Sequence, residues 1–423
     1  MKRCPGFFFA FLAAFYVRWS SAKVCIRFPE TFILSRDSSG ESMQMPCWKS
    51  LHGYAIYCPA KLRGRENAMR IDKRKVALVG CGMVGMSYAY CLLNQTVCDE
   101  LVLIDINQKR AMGEAMDLNH GLAFAPANME IYAGSYQDCR DADMVVICAG
   151  VAQKPGESRL ALLKRNAQVF RSIIEPVTQS GFNGIFLVAT NPVDIMTRIT
   201  CELSGFNPGR VLGSGTALDT ARLRYLLGEY LQVDPKNVHA YVMGEHGDSE
   251  FVPWSQAMVA TIPILKLCGD VKRNFAENRT GEPVESQAGI SVENRIGNSA
   301  AIQDGKGMTH QSVSISRPKL LEIAKQVKGA AYEIIDAKQA TYYGIGMAMT
   351  RITRAVLGDE NSVLTVSAML KGEYGQRDVI AGVPCVINGN GIRRVLELSL
   401  TEEELEQFAA SCRTLRESFE GVL

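Results

Sequence analysis

Between residues 74 and 266 the hydrophobic pattern keeps switching period. Lys75-Val-Ala-Leu-Val is a short unbroken apolar run, as expected of a strand buried on both faces. MSYAYCLLNQ then follows a helical period, LVLID is a second apolar run, and ADMVVICAG and GIFLVAT are two more. Strand-like runs separated by helical stretches predict βαβ units and a parallel sheet. Beyond residue 213, GSGTALDTARLRYLLGEYL predicts a helix, and NVHAYVMGEHGDS an apolar strand leading to His246. Residues 320–356 predict one long helical stretch, interrupted near Gln339-Ala340-Thr341, and VLTVSAML opens a run of strands. CVINGNGIRRVLELSL carries a hairpin signal, with NGNG between apolar runs. Thr401-Glu-Glu-Glu404 is a capping box, and Leu405, Phe408, Cys412, Leu415 and Phe419 fall on one helical stripe after it.

Two segments break the pattern. MKRCPGFFFAFLAAFYVRWSSA joins a basic start to an apolar run too short for a comfortable membrane span, and residues 23–68 have no periodicity. MRIDKRKVALVG, from Met69, reads as a natural start, so residues 1–68 are expected to be an extension outside the fold, with a targeting segment as the alternative. Residues 270–316 are polar, rich in Gly, Ser and Asn, without helical or strand period, and are expected to form a disordered surface insertion. The expected organisation is an extension (1–68), a nucleotide domain (69–212) and a second domain (213–423) carrying that insertion.

The chain has 423 residues, enough for two domains with separate cores. A net charge of +2 with 21% charged residues speaks against a nucleic-acid partner. The extension holds ten Lys/Arg against four Asp/Glu, which leaves the remainder slightly acidic. Of 13 cysteines, nine lie beyond residue 68 without paired CxxC spacing. They are expected to be reduced, buried thiols of a cytoplasmic protein, with neither a disulfide framework nor a metal site.

The first apolar run leads directly into Gly80-Cys-Gly82-Met83-Val84-Gly85, and the second ends in Asp105, twenty residues on. Three glycines at this spacing serve a tight turn, backbone approach to a pyrophosphate, and close helix–strand packing; the helix N-terminus then faces the phosphates. Asp105 can accept from a ribose diol and would repel a 2′-phosphate, so the expected cofactor is NAD rather than NADP. Ligands of open parallel sheets bind at the carboxyl ends of strands. Asn191 sits at such an end, as does the Gly- and Pro-bearing loop AGVAQKPGESR, which contains Gln153 and Arg159. Farther on, Asp219 and Arg222 share a helix face, and His246 lies between Gly244 and Gly247. An acid, a base, two arginines and a dinucleotide site are all present, although spacing alone does not show that they meet.

The stretches AQKPGESR, VATNPVD, LDTARLR and GEHGDS carry a resemblance to the lactate/malate dehydrogenase family, in its bacterial L-lactate dehydrogenase form. The resemblance covers residues 74–266 and 320–420, essentially all of the chain outside the two odd segments. It implies an α/β fold, a Rossmann-type doubly wound parallel sheet plus a mixed α/β substrate domain, assembled as a homotetramer. In that family pattern His246 resembles the proton donor, Asp219 its carboxylate partner and Arg222 the residue holding the substrate carboxylate. Arg159 resembles the loop arginine, Asn191 a hydrogen-bonding neighbour and Thr341 a pocket wall. Gly80, Gly82, Met83, Val84, Gly85, Asp105 and Asn191 fall at the NAD site. Gln153 stands where malate dehydrogenases carry a second arginine, which favours pyruvate and L-lactate over a dicarboxylate; a bulkier 2-keto acid stays open as an alternative. Arg224 and His239 match positions that bind fructose 1,6-bisphosphate in allosteric bacterial members. His52, His120 and His310 carry no expected role. The competing expectations are malate or another 2-hydroxy acid as substrate, and an NAD(H)-binding protein without chemistry.

Overall fold

A computed structural model of the chain describes residues 73–151, 158–268, 301–303, 309–311 and 315–422. The expected extension (1–68), most of the 270–316 segment and Gln153 lie outside the described residues. The first half runs β1 (Lys75–Val79), α1 (Met83–Gln95), β2 (Glu100–Ile104), α2 (Gln108–Gly121), β3 (Glu130–Ala133) and β4 (Met144–Ile147). It continues with α3 (Arg159–Gln179), β5 (Ile185–Val188), α4 (Val193–Ser204) and β6 (Val211–Gly213). These six strands are parallel, in the order 6-5-4-1-2-3, and their apolar runs are buried. The order reverses between β1 and β4, which opens a crevice at their carboxyl ends.

The second half supplies α5 (Ala217–Leu231), β7 (Val238–His239), β8 (Met258–Val259), β9 (Ile262–Pro263) and α6 (Ile264–Leu267). The chain then gives β10 (Ala301–Gln303), β11 (Thr309–Gln311), α7 (Arg317–Lys338) and α8 (Tyr343–Leu357). It ends with β12 (Ser362–Lys371), β13 (Arg377–Asn388), β14 (Gly391–Val395) and α9 (Glu402–Phe419). Strands β12 to β14 are antiparallel and extend the first sheet beyond β6, where Ser367 pairs with Gly213. One sheet therefore runs through both halves and fixes α5 against the crevice.

Three details differ from the sequence reading. The strand expected before His246 is only two residues long; beyond it the chain makes isolated bridges from Met243 to Phe251 and from Gly244 to Gly382. Within the segment expected to lack strands, β10 and β11 pair antiparallel, and Cys268 bridges to Ile315, so the segment leaves and returns at one buried point. On α9, Leu405 is exposed and the buried stripe starts one residue earlier at Glu404, whose carboxylate holds both Ser255 and the N-cap of its own helix. The break near Gln339, the NGNG hairpin and the Thr401 capping box are as expected.

Candidate active site

The first turn after β1 accounts for each glycine separately. Gly80 has φ +104°, a conformation costly for any side chain, and a Cβ there would press into the backbone of Ala149 at 2.5 Å. A Cβ on Gly85 would overlap the carbonyl oxygen of Gly80, so α1 and the turn pack in contact. Gly82, the N-cap residue of α1, has nothing within 4 Å of the same position. That open space beside a helix N-terminus fits a pyrophosphate approaching the backbone. Met83 is exposed and Val84 half-buried at the rim. The Asp105 carboxylate accepts from the backbone N–H groups of Cys81 and Asn107, both at 2.8 Å, which fixes it at the end of β2.

Across the crevice lies a cavity of about 530 Å³, lined by residues that include Asn191, Asp219, Arg222, His246 and Glu250. Asn191 stands at the end of β5 and is joined to Pro192 by a cis peptide bond. From the first turn of α5, Asp219 reaches His246 Nδ1 at 2.6 Å with Oδ2 and accepts from Arg222 at 2.8 Å with Oδ1. The i,i+3 spacing places both α5 side chains on one face, as the sequence implied. With Nδ1 engaged by Asp219, Nε2 is the imidazole nitrogen left to exchange a proton with a ligand.

The loop that presents His246 is pinned from three directions. Gly244, at φ +97°, exchanges two backbone hydrogen bonds with Gly382 of β13. The Glu245 N–H donates to Ser411 Oγ on α9, and the His246 N–H donates to Asp194 Oδ2 on α4. Asp194 is itself buried and accepts from the Ser367 hydroxyl of β12 at 2.6 Å. Sequence reasoning missed Asp194, although VATNPVD had drawn attention, because nothing local says that its carboxylate caps a loop 52 residues on.

The charges act on one another strongly. Burial pulls the imidazolium pKa of His246 down, and the charge and hydrogen bond of Asp219 more than offset it, leaving the ring near 9. Burial pushes Asp219 up, but His246 and Arg222 together hold its carboxyl below the usual range. Burial pushes Asp194 up to about 6, although the Ser367 hydroxyl, the His246 N–H and the His246 charge pull the other way. Glu250, the second acid the sequence reading overlooked, is only 4% exposed. Burial and the neighbouring Asp219 charge push it up to about 8.

Other expected residues stand apart. Arg159 opens α3. Thr341 lies in the turn between α7 and α8, outside the cavity's lining. Arg224 donates to the Ala240 carbonyl at 3.1 Å, stacks over Tyr241 and lines a separate cavity of about 340 Å³; His239 is exposed on β7. Among the described residues, Asp219, His246 and Glu250 are the group with spacing for a metal ion. Asp219, however, already has both oxygens engaged by cationic partners, and the neighbouring Arg222 guanidinium would repel an added cation.

This geometry agrees with the comparisons to known proteins. The model of the lactate/malate dehydrogenase NAD-binding domain matches residues 74–213, and that of the alpha/beta C-terminal domain matches residues 216–285 and 294–423. The chain belongs to the lactate/malate dehydrogenase family. NAD is its cofactor. The L-lactate dehydrogenase of Bacillus caldolyticus is 51% identical over 342 residues, covering 81% of this chain and 95% of that protein. L-lactate dehydrogenase 1 of Bacillus cereus is 47% identical over 355 residues, 84% of this chain and all of the relative. Among solved structures, the minor L-lactate dehydrogenase of Enterococcus mundtii in its ligands-bound form superposes with a TM-score of 0.72 at 43% identity, covering 83% of this chain and 99% of its own.

Proposed function

We propose that the chain is an NAD-dependent L-lactate dehydrogenase interconverting pyruvate and (S)-lactate, with His246 as proton donor and acceptor. The observation that carries this reading is the 2.6 Å contact of His246 with Asp219, in a cavity shared with Arg222 at the carboxyl end of the sheet. Bound NADH supplies the hydride for the carbonyl carbon. Arg222 offers a planar guanidinium to the substrate carboxylate, a bidentate match that a lysine lacks. His246 gives its Nε2 proton to the oxygen as charge builds there, and Asp219 holds the ring and steadies the imidazolium beforehand. Arg159 is the group we assign to polarising the carbonyl when its loop shuts and expels water. Asn191 adds a hydrogen bond at the same oxygen. The test is NADH oxidation with pyruvate, oxaloacetate and 2-ketoisocaproate in parallel; preference for either of the latter two overturns the substrate assignment.

The pH dependence follows from the raised pKa. Pyruvate reduction needs the protonated ring, which is present below about pH 9 and lost above it. Lactate oxidation needs the neutral ring, so its kcat/KM should climb with pH and level off near the same value. Opposite pH profiles for the two directions check this assignment, and parallel profiles contradict it.

A homotetramer in the cytoplasm completes the reading, the latter in keeping with cysteines that lie buried or half-buried among the described residues. Fructose 1,6-bisphosphate is the proposed effector, bound by Arg224 and His239 across a subunit interface. Positive groups from two subunits repel there until a bisphosphate neutralises them, which favours the assembled, high-affinity state. Adding the bisphosphate should lower the apparent KM for pyruvate in the parent and not in His239→Ala. No change in the parent rules the effector out.

A further inference from the structure

The three anchors of the His246 loop lead to different parts of the molecule. Gly382 belongs to β13 and Ser411 to α9, both in the second half of the chain. Asp194 belongs to the first turn of α4, three residues beyond Asn191. A carboxylate is favoured in that turn by the positive end of the helix dipole. Here both of its oxygens are also committed. Oδ2 accepts from the His246 N–H at 2.8 Å, and Oδ1 accepts from the Ser367 hydroxyl of β12 at 2.6 Å. The residue is only 2% exposed, so it is held from both sides and has little room to turn. Strand β12 comes this close to α4 because Gly213 has no side chain. A Cβ there would stand 2.4 Å from Thr197 Oγ1 and 2.5 Å from Ser367 Oγ.

This carboxylate is a strut between two groups that converge on one atom. Asn191 and His246 both line the catalytic cavity, whereas Asp194 does not. Under the reading above, Asn191 donates to the keto acid's carbonyl oxygen and His246 gives its proton to that same oxygen. Asp194 is joined to Asn191 by three residues of chain and to His246 by the hydrogen bond to its N–H. We propose that Asp194 is a positioning residue, whose side-chain length sets the separation of His246 from Asn191 and so the path of the transferred proton. The anchors on β13 and α9 hold the loop to the second half of the chain, and Asp194 sets its register against α4. An error of about 1 Å in such a register is enough to slow chemistry by about 10²-fold.

Two substitutions separate length from charge. Asp194→Asn keeps the length and removes the charge. Its amide oxygen can still accept from the His246 N–H while its NH2 donates to a reversed Ser367 hydroxyl. Asp194→Glu keeps the charge and both acceptor oxygens but adds a methylene between α4 and the loop. A cavity of about 140 Å³ beside Asp194, lined also by Ile195 and Leu415, gives that methylene space without unfolding the helix. If length is what matters, the charge-conserving variant is the damaged one.

The inference rests on His246 being the proton donor to a keto acid, and the experiment separates the two. Steady-state and single-turnover reduction of pyruvate by NADH are measured at pH 7, in H2O and in D2O, for the parent, D194N, D194E and H246N. In D194E kcat should fall by about 10- to 10²-fold, with the KM for pyruvate and the NADH affinity within about threefold of the parent. Its solvent isotope effect should exceed the parent's, because proton transfer to a misplaced oxygen has become the slow step. In D194N kcat should stay within about threefold of the parent, a rescue by length alone. The reverse order, with D194N slower than D194E, shows that the charge matters and overturns the proposal. So does a D194E enzyme that matches the parent, loses KM rather than kcat, or shows no larger isotope effect. A slow H246N beside an unimpaired D194E removes this inference and leaves the proton-donor reading standing. An unimpaired H246N removes both.

Discussion

A His246→Asn enzyme is expected to reduce pyruvate about 10²- to 10⁴-fold more slowly at pH 7, the range that a positioned acid contributes. The asparagine side chain can still donate a hydrogen bond to the carbonyl oxygen but cannot release a proton to it. The loop itself should hold, because Gly382, Ser411 and Asp194 grip its backbone rather than the imidazole. NADH affinity should be unchanged for the same reason, since the glycine turn lies on the other side of the crevice. Asp219→Asn gives the complementary result. Without the carboxylate, burial is opposed only by the weaker charges of Asp194 and Glu250, and the ring's pKa falls from about 9. Activity toward pyruvate should then collapse at pH 7 and partly return as the pH is lowered, which a purely structural defect would not do. The measurements are single-turnover rates from pH 5 to 10 alongside NADH fluorescence titration. A His246→Asn rate within tenfold of the parent would falsify the proton-donor role.

Replacing Gln153 by Arg is expected to shift the preference from pyruvate toward oxaloacetate by at least about tenfold in relative kcat/KM. An added buried charge pair of this kind is worth roughly 2–5 kcal/mol. Glutamine offers the second carboxylate of oxaloacetate no counter-charge; arginine supplies one. Pyruvate, which presents only a methyl group there, should lose activity because the new guanidinium is then the unpaired charge. The check is the ratio of the two kcat/KM values in parent and variant. An unchanged ratio shows that residue 153 does not face the substrate.

Much of the scaffold was legible before any coordinates. The parallel strands read as apolar runs because both faces of such a sheet are buried, and the glycine turn read as a nucleotide site because backbone and phosphate must meet there. Asp219 and Arg222 could be placed together for an equally local reason, the three-residue spacing on one helix face. Failures came where the determining contact was distant. The strand before His246 shrank to two residues because bridges to Phe251 and Gly382 take over. Leu405 fell outside the α9 stripe because Glu404 turns inward to hold Ser255 across 149 residues.

By itself, then, the sequence determined the helices, the parallel strands, the dinucleotide turn and the types of residue available for acid–base chemistry, since each depends on neighbours within a few residues. Only the tertiary structure decided that Asp219 meets His246, that Asp194 pins the histidine's backbone, and that Glu250 lies buried against both. The pKa values that set the site's working pH range arise from burial and from charges brought together by the fold, and neither is a property of a short stretch of chain.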